Sequence, residues 1–384
     1  MFGVNETTIL DGFTITAGNA TGGDYPPYER NGGGIDIYED SNPTVRNCVF
    51  IGNSADNDGG GVNGDALTNC KFIGNAAQYG GGAFSRVTLP GVRLTDCEFI
   101  GNFAEDGGGL VCHGEVVDCT FIGNSARVWG GGVSGNAALT NCTFTANSAG
   151  EAGGALLGCG TLTNCIFSAN SAGEIGGAMY SYCYLCDGKV INCTFTGNRA
   201  GQLGGAMFLG DESYRKLSNS ILWDNSAPEG PQIAIEAAYY DGLSVGYCNV
   251  QGGKAGIYGY DSKVKWGKGN IDIDPIFADP NGGDYHLQSE AGRWDPNSQS
   301  WVIDDVTSPC IDAGDPMSPI GPEPFPNGGI VNMGAYGGTA EASKSYFGTP
   351  PCETIVAGDI NGDCIVDFRD LCIMALHWCE DHNL

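Results

Sequence analysis

One phrase recurs along this chain and limits what it can fold into. It reads Asn47-Cys48-Val49-Phe50-Ile51-Gly52-Asn53-Ser54-Ala55, and it returns with substitutions at Asn69-Cys70, Asp96-Cys97, Asp118-Cys119, Asn141-Cys142, Asn164-Cys165 and Asn192-Cys193. Each time a Phe stands two residues after the Cys (Phe72, Phe99, Phe121, Phe144, Phe167, Phe195), and an Asn three residues after the Phe, from Asn75 to Asn198. Successive cysteines are 22, 27, 22, 23, 23 and 28 residues apart. Eroded copies follow at Asn219-Ser220-Ile221-Leu222-Trp223-Asp224-Asn225 and at Cys248-Asn249-Val250, and glycine clusters separate the copies, from Gly59-Gly60-Gly61 to Gly204-Gly205. A unit this short cannot bury its apolar face alone. Repeated in tandem it stacks on its neighbours, so the chain is a solenoid.

The kind of solenoid follows from the residues inside the unit. No segment carries a long 3.6-residue apolar period, which disfavours helical repeats. Cys-x-Phe places two apolar side chains on one face of a short strand, and the glycines supply corners. The expected fold is all-β, a parallel β-helix in which coils stack at ~4.8 Å and like residues form columns of Cys, Phe and Asn. Stacked Asn side chains would hydrogen-bond along the axis. Eight cysteines fall in this series (Cys48, Cys70, Cys97, Cys119, Cys142, Cys165, Cys193 and Cys248) and read as small buried hydrophobes. On that reading Cys142→Ser costs ~1–3 kcal/mol, because a hydroxyl in an apolar stack lacks a partner.

Charge narrows the partners. With 45 acidic and 17 basic residues the formal net charge is −28. This argues against nucleic-acid binding and against anionic membranes, and predicts repulsion of polyanionic substrates. No stretch approaches the ~20 apolar residues of a transmembrane helix. No signal peptide is visible at Met1-Phe2-Gly3-Val4-Asn5, and Leu10-Asp11-Gly12-Phe13-Thr14-Ile15 already reads as a coil. Upstream coils or a signal are therefore expected, and an open first coil predicts end-to-end self-association.

The Phe-x-x-Asn and Gly-Gly-Ala pairs resemble the repeats of chlamydial polymorphic outer-membrane proteins and of bacterial right-handed parallel β-helix proteins. The resemblance spans about residues 10–250 and implies a right-handed parallel β-helix at the cell surface or secreted. Past residue 217 come Gly269-Asn270-Ile271-Asp272-Ile273-Asp274-Pro275-Ile276-Phe277, Gly283-Asp284-Tyr285-His286-Leu287, Ser308-Pro309-Cys310-Ile311-Asp312-Ala313-Gly314 and Met333-Gly334-Ala335-Tyr336. This string resembles the choice-of-anchor Q domain that closes many such surface proteins. The expected organisation is coils over 1–250, a capping segment over 251–340, a linker over 341–357 and a small module over 358–384. In the cap, Asp272, Asp274, Asp279 and Asp284 read first as turn formers beside Pro and Gly. Calcium binding is the alternative.

The last module begins Asp359-Ile360-Asn361-Gly362-Asp363-Cys364-Ile365-Val366-Asp367-Phe368-Arg369-Asp370. Oxygen side chains at Asp359, Asn361, Asp363, Asp367 and Asp370, with the carbonyl of Ile365, have the spacing by which one loop wraps Ca²⁺. A helix over 368–379 would follow, with Phe368, Leu371, Ala375 and Trp378 on one face. The set resembles one dockerin type I repeat, although dockerins carry two and Cys364 stands where the family has glycine. The resemblance implies Ca²⁺ as cofactor and a cohesin-like partner. Cys183 and Cys186, Cys159, and the group Cys352, Cys364, Cys372 and Cys379 are candidates for disulfides, which fits an oxidising compartment.

Catalytic signals are sparse. Many right-handed β-helices cleave acidic polysaccharides with carboxylates on one outer strand face. The outward positions between Cys and Phe (Val49, Lys71, Glu98, Thr120, Thr143, Ile166, Thr194) stack no such cluster, and the four His residues lack a Ser/His/Asp context. The first expectation is a secreted or cell-surface β-helical protein for adhesion, glycan contact or extracellular structure, with extracellular glycans or other surface proteins as partners. The alternative is a polysaccharide lyase or glycoside hydrolase with its site in the insert-bearing coils near 83–93, 181–189 and 208–216.

Overall fold

The computed structural model describes residues 7–22, 30–37, 41, 43–85, 93–158, 160–182, 187–210, 213–236, 242–346 and 366–377. It is all-β and forms two compact units, divided between Asp272 and Ile273. The first is a parallel β-solenoid. An eleven-stranded sheet runs from Ile9–Asp11 to Val264–Trp266, a ten-stranded sheet from Thr14–Thr16 to Asn249–Val250, and a second ten-stranded sheet from Ile35–Asp36 to Ile257–Tyr258. We call these the leucine, phenylalanine and third sheets. A shorter five-stranded sheet from Phe103–Asp106 to Arg199–Ala200 runs beside them. Every described strand pair in these four sheets is parallel, and strands past residue 250 (Ile257–Tyr258 and Val264–Trp266) still add to them.

Register gives the interior its columns. Phe50 lies opposite Phe72, Phe72 opposite Phe99, and so on to Phe195. Their rings stack with centroids 4.6–4.9 Å apart and planes within 7°. Leu67, Leu94, Val116, Leu139 and Leu162 form the equivalent column of the leucine sheet, fully buried. The corner before each Cys is a residue in the left-handed region, Asn or Asp from Asn47 to Asn219, at φ 49 to 54°. Those two side chains tolerate this conformation best after Gly. At Gly59-Gly60-Gly61, Gly59 has φ 65°, and a Cβ on Gly60 or Gly61 would come within 2.6 Å of the next coil's carbonyl oxygens, Ala76 O and Gly82 O among them.

The asparagine column follows the expected design. The backbone N–H and Nδ2 of Asn124 both donate to Oδ1 of Asn147 at 3.0 Å, and Nδ2 also donates to the Phe99 carbonyl at 2.8 Å. The same set repeats from Asn53 to Asn198, and Nδ2 of Asn225 finishes it by donating to Oε1 of Gln232 at 2.8 Å. The cysteine column is buried too, with no disulfide among the described residues. Here the structure corrects the expectation for serine. Cys142 Sγ lies 3.3 Å from the carbonyl of Thr140, and at the equivalent position Ser220 Oγ donates to the Ser218 carbonyl at 2.9 Å and accepts from the Cys193 N–H at 3.1 Å. A hydroxyl in this column therefore has partners.

The second unit has hairpins at Phe277–Asp279/Asp284–Leu287 and Arg293–Asp295/Ser300–Val302, turns between them, and a ten-residue helix, Phe368–His377. Phe277, Leu287, Cys310, Val331, Met333 and Ala342 are among its buried apolar residues.

Candidate functional site

The first candidate is the loop that opens the last module. Asp359, Asn361, Asp363 and Ile365 lie outside the described residues, as do Cys352, Cys364 and Cys379. Asp367 and Asp370 are described, and they cap the helix. Asp367 Oδ1 accepts from the Arg369 N–H, and Asp370 Oδ2 accepts from the Asp367 N–H, each at 2.7 Å, so the N-cap side chain takes the N2 donor and the N3 side chain returns to the N-cap N–H. Phe368 and Leu371 are exposed, while Cys372 is exposed and free.

The four cap aspartates act as acceptors for turns and ion pairs. Asp274 accepts from the Ile276 N–H at 2.9 Å, Asp279 from Gly282 at 3.0 Å, and Asp272 from Gly252 at 3.0 Å. Asp284 bridges His286 Nδ1 (2.6 Å) and Arg293 Nη1 (3.2 Å). Among the described residues no group of three metal-ligating side chains converges.

The third sheet carries a groove toward its C-terminal coils. Register stacks Asn63, Phe84, Val111, Ser134, Leu157, Tyr180, Phe208, Ala234 and Tyr258 in one column, in which Asn63, Phe208 and Ala234 are buried and Tyr258 is exposed. The column turns aromatic toward the C-terminal coils. Tyr180 packs on Phe208 at 5.6 Å and on Tyr182 at 5.7 Å between centroids. The small, fully buried Ala234 stands between Phe208 and Tyr258 in the column. Phe208 and Tyr258 line a groove of about 440 Å³ together with Leu203, Ile235, Glu236, Gly259 and Tyr260. Tyr258 and Tyr260 are 48% and 62% exposed, so their rings are available to a ligand.

Glycine lets the wall close. A Cβ on Gly210 would sit 3.0 Å from Glu236 Oε2 and 3.1 Å from the rings of both Phe208 and Tyr180. The Glu236 N–H donates to the Leu209 carbonyl at 2.8 Å, fixing the residue at the strand end. Hydrogen bonding to the Glu229 carboxylate raises the Tyr258 phenol above its ordinary range. On the inner side of the same corner Arg215 is fully buried, and donates to Ser181 Oγ (3.0 Å) and to the carbonyls of Gly160 (2.8 Å) and Gly158 (2.9 Å). It ties its own coil to the two before it. Apolar ring faces beside a carboxylate suit a ligand with flat C–H faces and hydroxyl donors.

Among the described residues of the insert regions expected to hold a site, Phe208 of 208–216 lines the groove, and Tyr182 of 181–189 packs on Tyr180 beside it. Glu236, Tyr258 and Tyr260 carried no signal as single residues. Only strand register places Phe208, Ala234 and Tyr258 in one column. On the phenylalanine sheet the outward Lys71 and Glu98 pair at 2.6 Å, a structural rung.

Comparison with known proteins agrees with the fold. No curated protein matches the chain. Residues 218–314, from the last solenoid coils into the second unit, match the family described as "Disaggregatase related".

Proposed function

We propose that this chain is a secreted or cell-surface β-solenoid whose aromatic groove contacts glycans, and whose C-terminal module binds Ca²⁺ and serves docking or anchoring. The groove carries the reading: exposed Tyr258 and Tyr260 offer stacking faces beside the buried Phe208 that backs them, with Glu236 as acceptor. Likeness to surface β-helix repeats and to a choice-of-anchor Q domain supports the location. The match to the family described as disaggregatase related includes Glu229, Glu236, Tyr258 and Tyr260. A polysaccharide panel tests the reading: the protein retains glycans, and Tyr258→Ala with Tyr260→Ala releases them. Because Glu236 lies in the groove, the same panel is assayed for new reducing ends or unsaturated products. Turnover lost in Glu236→Gln would make the protein the hydrolase or lyase of the alternative reading.

The calcium proposal rests on the oxygen-ligand spacing from Asp359 to Asp370 and on its likeness to a dockerin repeat. Four carboxylates in one loop repel until a cation binds. Hydrogen exchange should show protection of 358–380 that depends on Ca²⁺ and disappears in Asp363→Ala. Equal protection with and without Ca²⁺ would refute it. Pull-down with a cohesin-like partner tests docking.

A further inference from the structure

The outer face of the leucine sheet carries an imbalance. In the early coils basic side chains meet acids across the coil boundary: Arg46 with Asp11 at 2.9 Å, and Arg127 with Glu105. The first of these pairs lies on the leucine sheet, where Arg93 also lies opposite Glu115, and the second on the five-stranded sheet. In the late coils that rule inverts. Lys189 lies directly opposite Lys216, Lys216 opposite Ser244, and Ser244 opposite Lys265. All three lysines are exposed, and none makes an ion pair among the described residues. Parallel in-register strands hold neighbouring rungs ~4.8 Å apart, where like charges repel. Beside the column, Tyr214 lies 39% exposed, with its ring over Gly242, where a Cβ would sit 2.9 Å from it. Gly246 flanks Ser244. The result is an aromatic face beside one column of three lysines, Lys189 and Lys216 on adjacent coils and Lys265 one coil beyond Ser244.

We infer that this lysine column binds an anionic polysaccharide. The ammonium groups take successive carboxylates or sulfates, and Tyr214 takes a sugar face. The inference rests on the glycan reading above and names the class of glycan. It also revises the expectation that a chain of charge −28 repels polyanions. Screening confines each charge to roughly 8 Å in physiological salt, so the local column decides the encounter.

Affinity electrophoresis of the full chain through gels containing polygalacturonate, dextran sulfate or neutral dextran tests this, with a DNA oligonucleotide as competitor. Wild type should be retarded by polygalacturonate or dextran sulfate, and which of the two acts separates carboxylate from sulfate recognition. The Lys189→Ala/Lys216→Ala double variant should bind at least tenfold more weakly, with a shallower salt dependence and an unchanged melting curve. Lys216→Glu should abolish retardation. Retardation unchanged in these variants would overturn the inference. Equal competition by DNA would overturn the saccharide assignment. Retention by neutral dextran alone would overturn the lysine column and leave the glycan reading standing, whereas no retention by any polysaccharide would sink both.

Discussion

The solenoid and the second unit both bury polar atoms, by opposite means. In the solenoid the same asparagine satisfies the same three partners coil after coil. In the second unit each buried polar group is solved once. His286, 1% exposed, pairs with Asp284 and stacks on Tyr336 at 3.5 Å. Glu323 takes two backbone donors on Oε1, from Asn332 (2.8 Å) and Gly338 (2.7 Å), while its buried Oε2 has no hydrogen-bond partner. Repetition lets one good solution be used many times. A single-copy site must find its own, and Glu323 shows an incomplete one.

The comparison is broken most severely in the asparagine column. Asn147→Ala removes the acceptor for the Asn124 N–H and Nδ2 and the donor to the Phe121 carbonyl. Leaving three buried groups unpaired costs about 4 kcal/mol at 1–3 kcal/mol each, partly relaxed. Denaturant unfolding should show that loss in the solenoid transition. A cost below about 1 kcal/mol would mean that water or a neighbour replaces the rung.

In the second unit pH exposes the weakness. Burial pushes the Glu323 carboxyl up to about 7 from its ordinary 4.5. A carboxyl raised in the folded state favours the protonated form there. Its contribution is complete below about pH 4.5, is lost as pH rises toward 7, and is flat above. The span is about 3 kcal/mol. Burial raises Asp312 in the same direction. Glu323→Gln keeps an acceptor for Asn332 and Gly338 and cannot ionise, so it should stabilise the second unit at pH 8 and flatten the dependence. Melting curves from pH 4.5 to 8 decide this, and a slope unchanged in Glu323→Gln would assign the dependence elsewhere.

The same contrast explains what could be read in advance. The Cys-x-Phe-x-x-Asn spacing reveals the Phe and Asn columns because stacking demands like on like at a fixed interval. The groove is invisible at that interval. Phe208, Ala234 and Tyr258 sit at one column position where the coils differ, and only register brings them together. Lys189 and Lys216 belong to that kind too, separated by an insert of variable length. The second unit has no period. Its aspartates beside Pro and Gly are legible as turn formers, but nothing local marks the pairing of Asp284 with Arg293 or the burial of Glu323.

The smallest effect sits where a repeat tolerates an exception. Ser220 replaces Cys in its column, and its hydroxyl both donates and accepts. Cys142 has the Thr140 carbonyl at 3.3 Å and the Val116 carbonyl at 3.4 Å within reach of its side chain. Cys142→Ser should therefore cost less than about 1 kcal/mol, since the net value of one satisfied buried hydrogen bond offsets the apolar loss. Cys142→Ala loses the sulfur's volume and gains no bond, so it should cost as much or more. Burial raises the Cys142 thiol well above its ordinary range, so it should resist labelling in the native state while the exposed Cys372 reacts. If Cys142→Ser instead costs more than about 2 kcal/mol, the column at Cys142 differs from that at Ser220, and the tolerance belongs to the eroded end of the repeat alone.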